Sequence, residues 1–260
     1  MTGVQTCALP ILDSTASAVA AKAGGADRLE LCADLAIGGT TPSAALVRQV
    51  KAETGLPVRA LLRPRAGDFC YDRWELAQMA ELAAGLVAAG ADGIVTGVLD
   101  PAGDLDLDAM QHICTAARRA ARQAGRPVDL ALHRAFDVCR DATLCLEAAC
   151  ELGLATILTS GQAADAWSGR ALLARLQQQA AGRIEILAGA GVNARNIPDL
   201  VRQTHVTACH LSGKKRVPSR MVFRRAGVPM GLPGFDEFEL WQTDPAAIQA
   251  ARAALDGVHD

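Results

Sequence analysis

Short apolar segments alternate with alanine- and leucine-rich stretches along this 260-residue chain, and that alternation limits the fold more than any single motif does. Candidate strands are Arg28–Cys32, Val58–Arg63, Gly93–Gly97, Val128–His133, Ala155–Thr159, Ile184–Gly189 and Val206–Leu211, with a weaker one at Ala8–Leu12. Helical stretches lie near Ser14–Ala23, Ser43–Glu53, Asp72–Ala89, Leu107–Gln123, Ala142–Glu151, Gly169–Ala181 and Asn193–Arg202. Gly24, Gly55, Gly90, Gly125, Gly153 and Gly182 stand where the helices should stop, since glycine takes up the left-handed cap conformation at little cost. Eight right-handed βα crossovers close into a barrel more naturally than they spread into an open sheet. The expected fold is α/β, a single (β/α)8 TIM-type barrel over residues 1–260. From about Pro218 the chain should be less regular, ending in a helix at Asp244–Leu255.

Strand parity sorts the side chains. Leu29 and Leu31 share one face and Arg28, Glu30 and Cys32 the other; Val58, Ala60 and Leu62 oppose Arg59, Leu61, Arg63 and Arg65. Likewise Val128, Leu130 and Leu132 oppose Asp129, Ala131 and His133. If the apolar set faces the helices, the polar set fills the barrel. Arg28, Arg59, Asp129 and Glu185 then make a lower layer with two charges of each sign, where unpaired charges would be costly. Glu30, Arg63 and His133 sit above it. The parity of the last strand is open at this stage.

Seven strand ends are polar in a way helix packing does not require, and in a barrel they all open on one face, where sites are built. The richest is Arg63-Pro64-Arg65-Ala66-Gly67-Asp68-Phe69-Cys70-Tyr71; others carry Glu30 and Cys32, Thr96-Gly97 running to Asp100, His133 and Arg134, Thr159 and Ser160, Gly189 and Gly191, and His210 and Ser212. Arg63, Arg65 and Arg134 suit a carboxylate or phosphate, because guanidinium grips such groups through paired hydrogen bonds. Gly189 and Gly191 precede a helix, a setting that suits phosphate but also a plain tight turn. Glu30, Asp68 or His133 could move protons; a buried histidine bonded to Glu30 or Asp137 is the bland alternative for His133. Thr159, Ser160, His210 and Ser212 complete the candidate anion-binding set.

Composition excludes several classes. A formal charge of −2 gives no footprint for nucleic acid, and no apolar run approaches the roughly 20 residues a membrane span needs. Of the 26 basic residues only Lys22, Lys51, Lys214 and Lys215 are lysines, and none falls within a predicted strand, which argues against Schiff-base chemistry. Eight scattered cysteines read as reduced thiols of a soluble cytoplasmic protein. Soft thiolates select Cu(I), and Cys32 and Cys70 lie at neighbouring strand ends. No C-x-x-C is present, however, and Cys145 and Cys150 fall about 140° apart around a helix. Cys114, Cys145, Cys150 and Cys209 suit small core positions.

In these segments the chain resembles the CutC family of copper homeostasis proteins. The similarity runs through GGADRLELCA (24–33), GGTTPS (38–43), RPRAGDFCY (63–71), IVTGVLD (94–100) and LHRAFDVC (132–139). It continues through ILTSGQ (157–162), GAGVNARNI (189–197) and HLS (210–212). The resemblance implies a cytoplasmic TIM-type barrel, often dimeric, linked to copper tolerance and Cu(I) binding. The chain departs from the family in three places. Leu9-Pro10-Ile11-Leu12-Asp13-Ser14 stands where the family carries a pattern like E-V-C-V-D-S, Ile37 stands where it carries glutamate, and Lys214-Lys215-Arg216 is unusual. The string GVQTCALPI resembles translated sequencing-adapter material, so residues 1–11 are expected to be a non-native leader and the first strand to be degraded. Three functional readings stay open: a Cu(I)-binding barrel using Cys32 and Cys70, an enzyme acting on a small anionic metabolite, and a binder of such a metabolite without turnover.

Overall fold

The structure, a computed structural model, describes residues 7–225, 227–228 and 236–258. Eight parallel strands close into a barrel in chain order: β1 (Cys7–Leu12), β2 (Leu29–Leu31), β3 (Val58–Leu61), β4 (Gly93–Thr96), β5 (Asp129–Leu132), β6 (Thr156–Thr159), β7 (Glu185–Ala188) and β8 (Ala208–Leu211). Helices α1 (Thr15–Ala23), α2 (Ala44–Thr54), α3 (Arg73–Ala88), α4 (Leu107–Gln123), α5 (Ala142–Glu151), α6 (Arg170–Ala180) and α7 (Ile197–Thr204) connect successive strands. The expected (β/α)8 fold is the observed one.

The first strand is not degraded. Cys7–Leu12 pairs with β8 from Cys7 to Pro10 and with β2 at Ile11 and Leu12, so the sheet has no open edge there. Pro10 lacks an N–H but keeps its place beside Leu211, and the alternation of Ala8 and Leu12 outward with Leu9 and Ile11 inward supplies what the ladder needs. Residues 1–6 of the expected leader lie outside the described residues.

In the C-terminal part the expected terminal helix is present, preceded by a two-stranded ribbon that was not expected. After β8 the chain makes an antiparallel ribbon, β9 (Lys214–Pro218) with β10 (Glu239–Thr243), and then α8 (Pro245–Asp256). Lys214 and Lys215 therefore do lie in a strand, though not in a barrel strand. Helix α8 completes the outer ring: Ile248, Ala251 and Leu255 are fully buried. Arg252 reaches Asp27 (2.7 Å), whose carboxylate also accepts from the Ala8 amide (2.8 Å). Gly24 lies so close beneath this helix that a Cβ there would come within 2.7 Å of the Ile248 side chain.

Inside the barrel the lower charged layer forms as parity predicted. Arg28 meets Glu185 (2.5 Å), Arg59 meets Asp129 (3.3 Å), and Thr156 links Arg59 (2.9 Å) to Glu185 (2.9 Å). Arg59 needs room, and Gly93 provides it, because a Cβ at that position would sit 2.8 Å from the Arg59 stem. Arg59 is 5 % exposed. Arg59→Ala should therefore cost about 1–3 kcal/mol, since it leaves the buried Thr156 hydroxyl and the part-buried Glu185 carboxylate short of a partner. Urea unfolding measures this; a loss below about 0.5 kcal/mol would mean the layer behaves like surface charge.

Candidate functional site

Above the charged layer and an apolar middle layer that includes Leu9, Leu61, Val95, Ala131, Leu158 and Leu187, the inward positions at the strand ends turn polar again. Glu30 from β2, Arg63 just beyond β3, His133 just beyond β5 and His210 from β8 are all buried. The last strand's parity is thereby settled, with His210 inward and Cys209 and Leu211 outward. Two more inward glycines make the space. A Cβ at Gly97 would fall 2.8 Å from the His133 ring, and one at Gly189 would fall 2.5 Å from Leu158 and 3.4 Å from His210.

The charge states differ across this cluster. His210 Nε2 lies 3.4 Å from Glu30 Oε1 with no directed hydrogen bond. Burial alone would raise the Glu30 carboxyl; the His210 imidazole, supported by His133 and Arg59, outweighs it and holds the carboxyl below its ordinary range. His133 goes the other way. Burial, with Arg63 adding to it against the pull of Glu30, pushes its imidazole down from 6.5 to about 4. Its Nδ1 accepts from the Ala135 amide (3.1 Å), which assigns the proton to Nε2. The ring is packed at 4.7 Å against Phe69, which also lies beneath the Arg63 guanidinium at 5.2 Å. Arg63 gives its two terminal nitrogens to the carbonyls of Gly39 (3.1 Å), Ile37 (3.4 Å) and Gly67 (2.9 Å).

After those bonds are made, the Nε2 atoms of His133 and His210 and the Nε of Arg63 remain buried without hydrogen-bond partners. Buried polar atoms rarely stay unpaired, so two of them near one carboxylate, with a third beside His133, describe a place shaped for something else.

The other candidates go elsewhere. Arg65 is bound to Glu75 (2.5 Å), Asp68 (3.1 Å) and the Cys70 carbonyl (2.9 Å), so Arg65 and Asp68 fold the outer loop onto the start of α3. Arg134 pairs with Asp137 (2.6 Å), which also accepts from Thr159 Oγ1 (2.5 Å) and the Ser160 amide (2.9 Å). Asp137 is thus the clasp between the ends of β5 and β6, and it is not the partner of His133. Gly191 and Ser212 line a separate cleft of about 640 Å³ with Asn193, Arg195, Lys214 and Ala247. Cys32 is fully enclosed beside Leu61, Val95 and Ala131, its thiol 3.5 Å from the Leu12 carbonyl and pushed well up by burial and by Glu30. Cys70 is exposed. Among the described residues no group of three or more His, Cys, Asp or Glu is placed to hold a metal ion. Sequence reading places Gly189 in an anion-binding turn and Gly97 in a polar strand end, and misses that their inward parity leaves room for the His133 and His210 rings.

The His133 environment sets a pH dependence. The unfolded chain takes up a proton near 6.5, whereas the folded ring stays neutral to about 4. Stability should fall as pH drops through that window, by roughly 3 kcal/mol in all. Urea unfolding at a series of pH values should show this slope in the wild type and its absence in His133→Gln; equal slopes would contradict the assignment.

Comparison with known proteins agrees with the sequence resemblance. The pattern of the CutC family matches residues 7–215. The family protein CutC of Vibrio parahaemolyticus is 42% identical over 94% of this chain and 96% of its own length. That of Chromobacterium violaceum is 40% identical over 94% and 95%. Among solved structures, the CutC protein of Streptococcus agalactiae, which carries the name copper homeostasis protein, superposes with a TM-score of 0.73 at 28% identity, covering 80% of this chain and 99% of that one. The N-(5'-phosphoribosyl)anthranilate isomerase of Pyrococcus furiosus, 11% identical, matches with a TM-score of 0.55 over 98% of this chain and all of its own, a likeness of fold alone. On these matches, and on the motifs that run from Gly24 to Ser212, the chain belongs to the CutC family.

Proposed function

We propose that the barrel binds a small anionic metabolite at the carboxyl ends of its strands and carries out acid–base chemistry on it. The reading rests on one observation, the unpartnered buried nitrogens of His133 and His210 near Glu30 and of Arg63 beside His133. Arg63 supplies positive charge already fixed in place by three backbone carbonyls. Such preorganised charge costs no rearrangement when the ligand arrives. Neutral His133 offers an Nε2–H to a ligand oxygen, and Glu30 with His210 forms the pair that takes or returns a proton. The cleft at Gly191 and Ser212, flanked by Arg195 and Lys214, is a second anion-binding position in the same reading. Arg65, Arg134 and Asp68 shape the surrounding loops. Calorimetry with inorganic phosphate and with small dicarboxylates tests the proposal. Binding should weaken at least tenfold in Arg63→Ala, about the 1.4 kcal/mol or more that a charge-assisted hydrogen bond contributes. Binding indifferent to Arg63 would remove the mouth cluster from consideration.

A second reading comes from the name that the Streptococcus protein carries. In it the chain handles Cu(I) as cargo in the cytoplasm, through Cys32 and Cys70. The donor set fits this poorly: one thiol is sealed among apolar side chains and the other faces solvent. Anaerobic Cu(I) titration against a competing chelator should show no tight one-to-one site that depends on Cys32 and Cys70. Tight binding lost in the double serine variant would favour copper over the metabolite. A homodimer belongs to either reading. Its support is the run of exposed apolar side chains Met221, Val222, Phe223 and Leu240 on and beside the ribbon.

A further inference from the structure

Lys214-Lys215-Arg216, which departs from the family pattern, opens a basic stretch whose charge neither reading uses beyond Lys214. Residues 214–225, KKRVPSRMVFRR, hold six of the chain's 26 basic residues and no acidic one, so the net charge of −2 conceals a local concentration of positive charge. The stretch begins as β9 and leaves the ribbon after Pro218. Across the ribbon, Asp244 answers Lys215 (3.2 Å) and Glu239 answers Arg216 (3.0 Å). Among the described residues Arg220, Arg224 and Arg225 form no ion pair; Arg224 lies over Phe238 (3.9 Å) and Arg225 over Phe223 (5.2 Å). All three arginines are exposed. Between them stand Met221, Val222 and Phe223, at 54 %, 93 % and 60 % exposure, which is more apolar surface than a solvated loop requires.

We propose that this stretch docks the protein on an anionic lipid surface. Arg220, Arg224 and Arg225 pair with headgroup phosphates, and Met221, Val222 and Phe223 enter the boundary beneath them. Cations interleaved with bulky apolar side chains suit such a surface, because the two contributions add. Nucleic acid fits less well. Met221 and Val222 offer no face on which a base stacks, and the rings of Phe223, Phe238 and Trp241 already carry cations of the chain itself. A second copy, the occupant that a homodimer would supply, buries the apolar run but must also set carboxylates against the three arginines. A layer of anionic headgroups meets both needs at once.

The stretch belongs to the mouth end of the barrel. β9 follows directly from the carboxyl end of β8, and Lys214 and Trp241 share a cleft with Asp13 and Asp34, which follow β1 and β2. The proposal does not depend on what the mouth binds.

Co-sedimentation of the full-length protein with lipid vesicles is the test. The protein should sediment with vesicles of equal parts phosphatidylglycerol and phosphatidylcholine, and stay in solution with phosphatidylcholine alone. Added salt should weaken the binding. Arg220→Gln, Arg224→Gln and Arg225→Gln together should weaken it roughly a hundredfold, at about fivefold for each cation removed. Val222→Ser with Phe223→Ser leaves the charge unchanged and should still weaken it about tenfold, a loss that purely electrostatic contact would not show. Both variants alter exposed side chains and should keep the wild-type melting curve. Failure to sediment with the mixed vesicles would overturn the proposal, as would unchanged binding by either variant. Tighter binding to single-stranded RNA would overturn it in favour of nucleic acid. A lipid-free dimer that Val222→Ser with Phe223→Ser splits into monomers would give the surface to a second copy instead.

Discussion

Closing eight strands into a barrel sends alternate side chains of every strand into one shared interior, and most of this structure follows from how that interior is filled. Water cannot screen charges there, so each inward polar group must find a partner within the barrel or go without. At the bottom, Arg28, Arg59, Thr156 and Glu185 bond to one another with Asp129 at the rim, and only the Nε of Arg28 is left over. In the middle the inward positions are mainly apolar, which separates the two polar levels. At the top the inventory does not balance. Glu30 has His210 beside it, but imidazole and guanidinium nitrogens are left over.

That imbalance is the physical ground for locating function at the mouth. The lower layer leaves one buried donor unpaired, Arg28 Nε, whereas the upper cluster leaves three, Arg63 Nε and the Nε2 atoms of His133 and His210. The loops around the mouth are built to hold it. Arg65 ties the Arg63–Tyr71 loop to Glu75 at the start of α3, and Asp137 joins the ends of β5 and β6. Phe69 closes over both Arg63 and His133, excluding water from the ring whose neutrality the cluster needs. Glycines 93, 97 and 189 complete the plan by leaving inward space that the larger side chains enter.

The fold was legible because βα alternation and strand parity are local signals. Parity alone put Arg28, Arg59, Asp129 and Glu185 in one layer and Glu30, Arg63 and His133 in the next. It failed where the signal was weak or non-local. Residues 7–12 read as a poor strand because of Pro10 and the missing acidic pattern, yet closure needs only their alternation and backbone, and both neighbours supply hydrogen bonds. The ribbon after β8 was missed because its two strands are separated by 20 residues. In the site, charge marked candidates without showing which charges were already engaged. Arg65, Arg134 and Asp68 looked as available as Arg63, yet Arg134 is engaged by Asp137 and Arg65 by Asp68, each three residues on, and Arg65 also by Glu75 from α3. Nor did sequence show that Cys32 is buried and Cys70 exposed, because adjacent strand ends say nothing about which face of the loop a thiol takes.

The central claim is that the unpartnered nitrogens at the mouth are ligand contacts. Nitrogen-15 NMR of the histidine rings, with and without inorganic phosphate, tests it most directly. The account predicts a neutral Nε2–H tautomer for His133 well below pH 6.5. It also predicts shifts at His133 and His210 on adding phosphate, while exposed His112 and His205 stay still. A His133 that titrates like a free imidazole, or mouth histidines blind to phosphate, would contradict it.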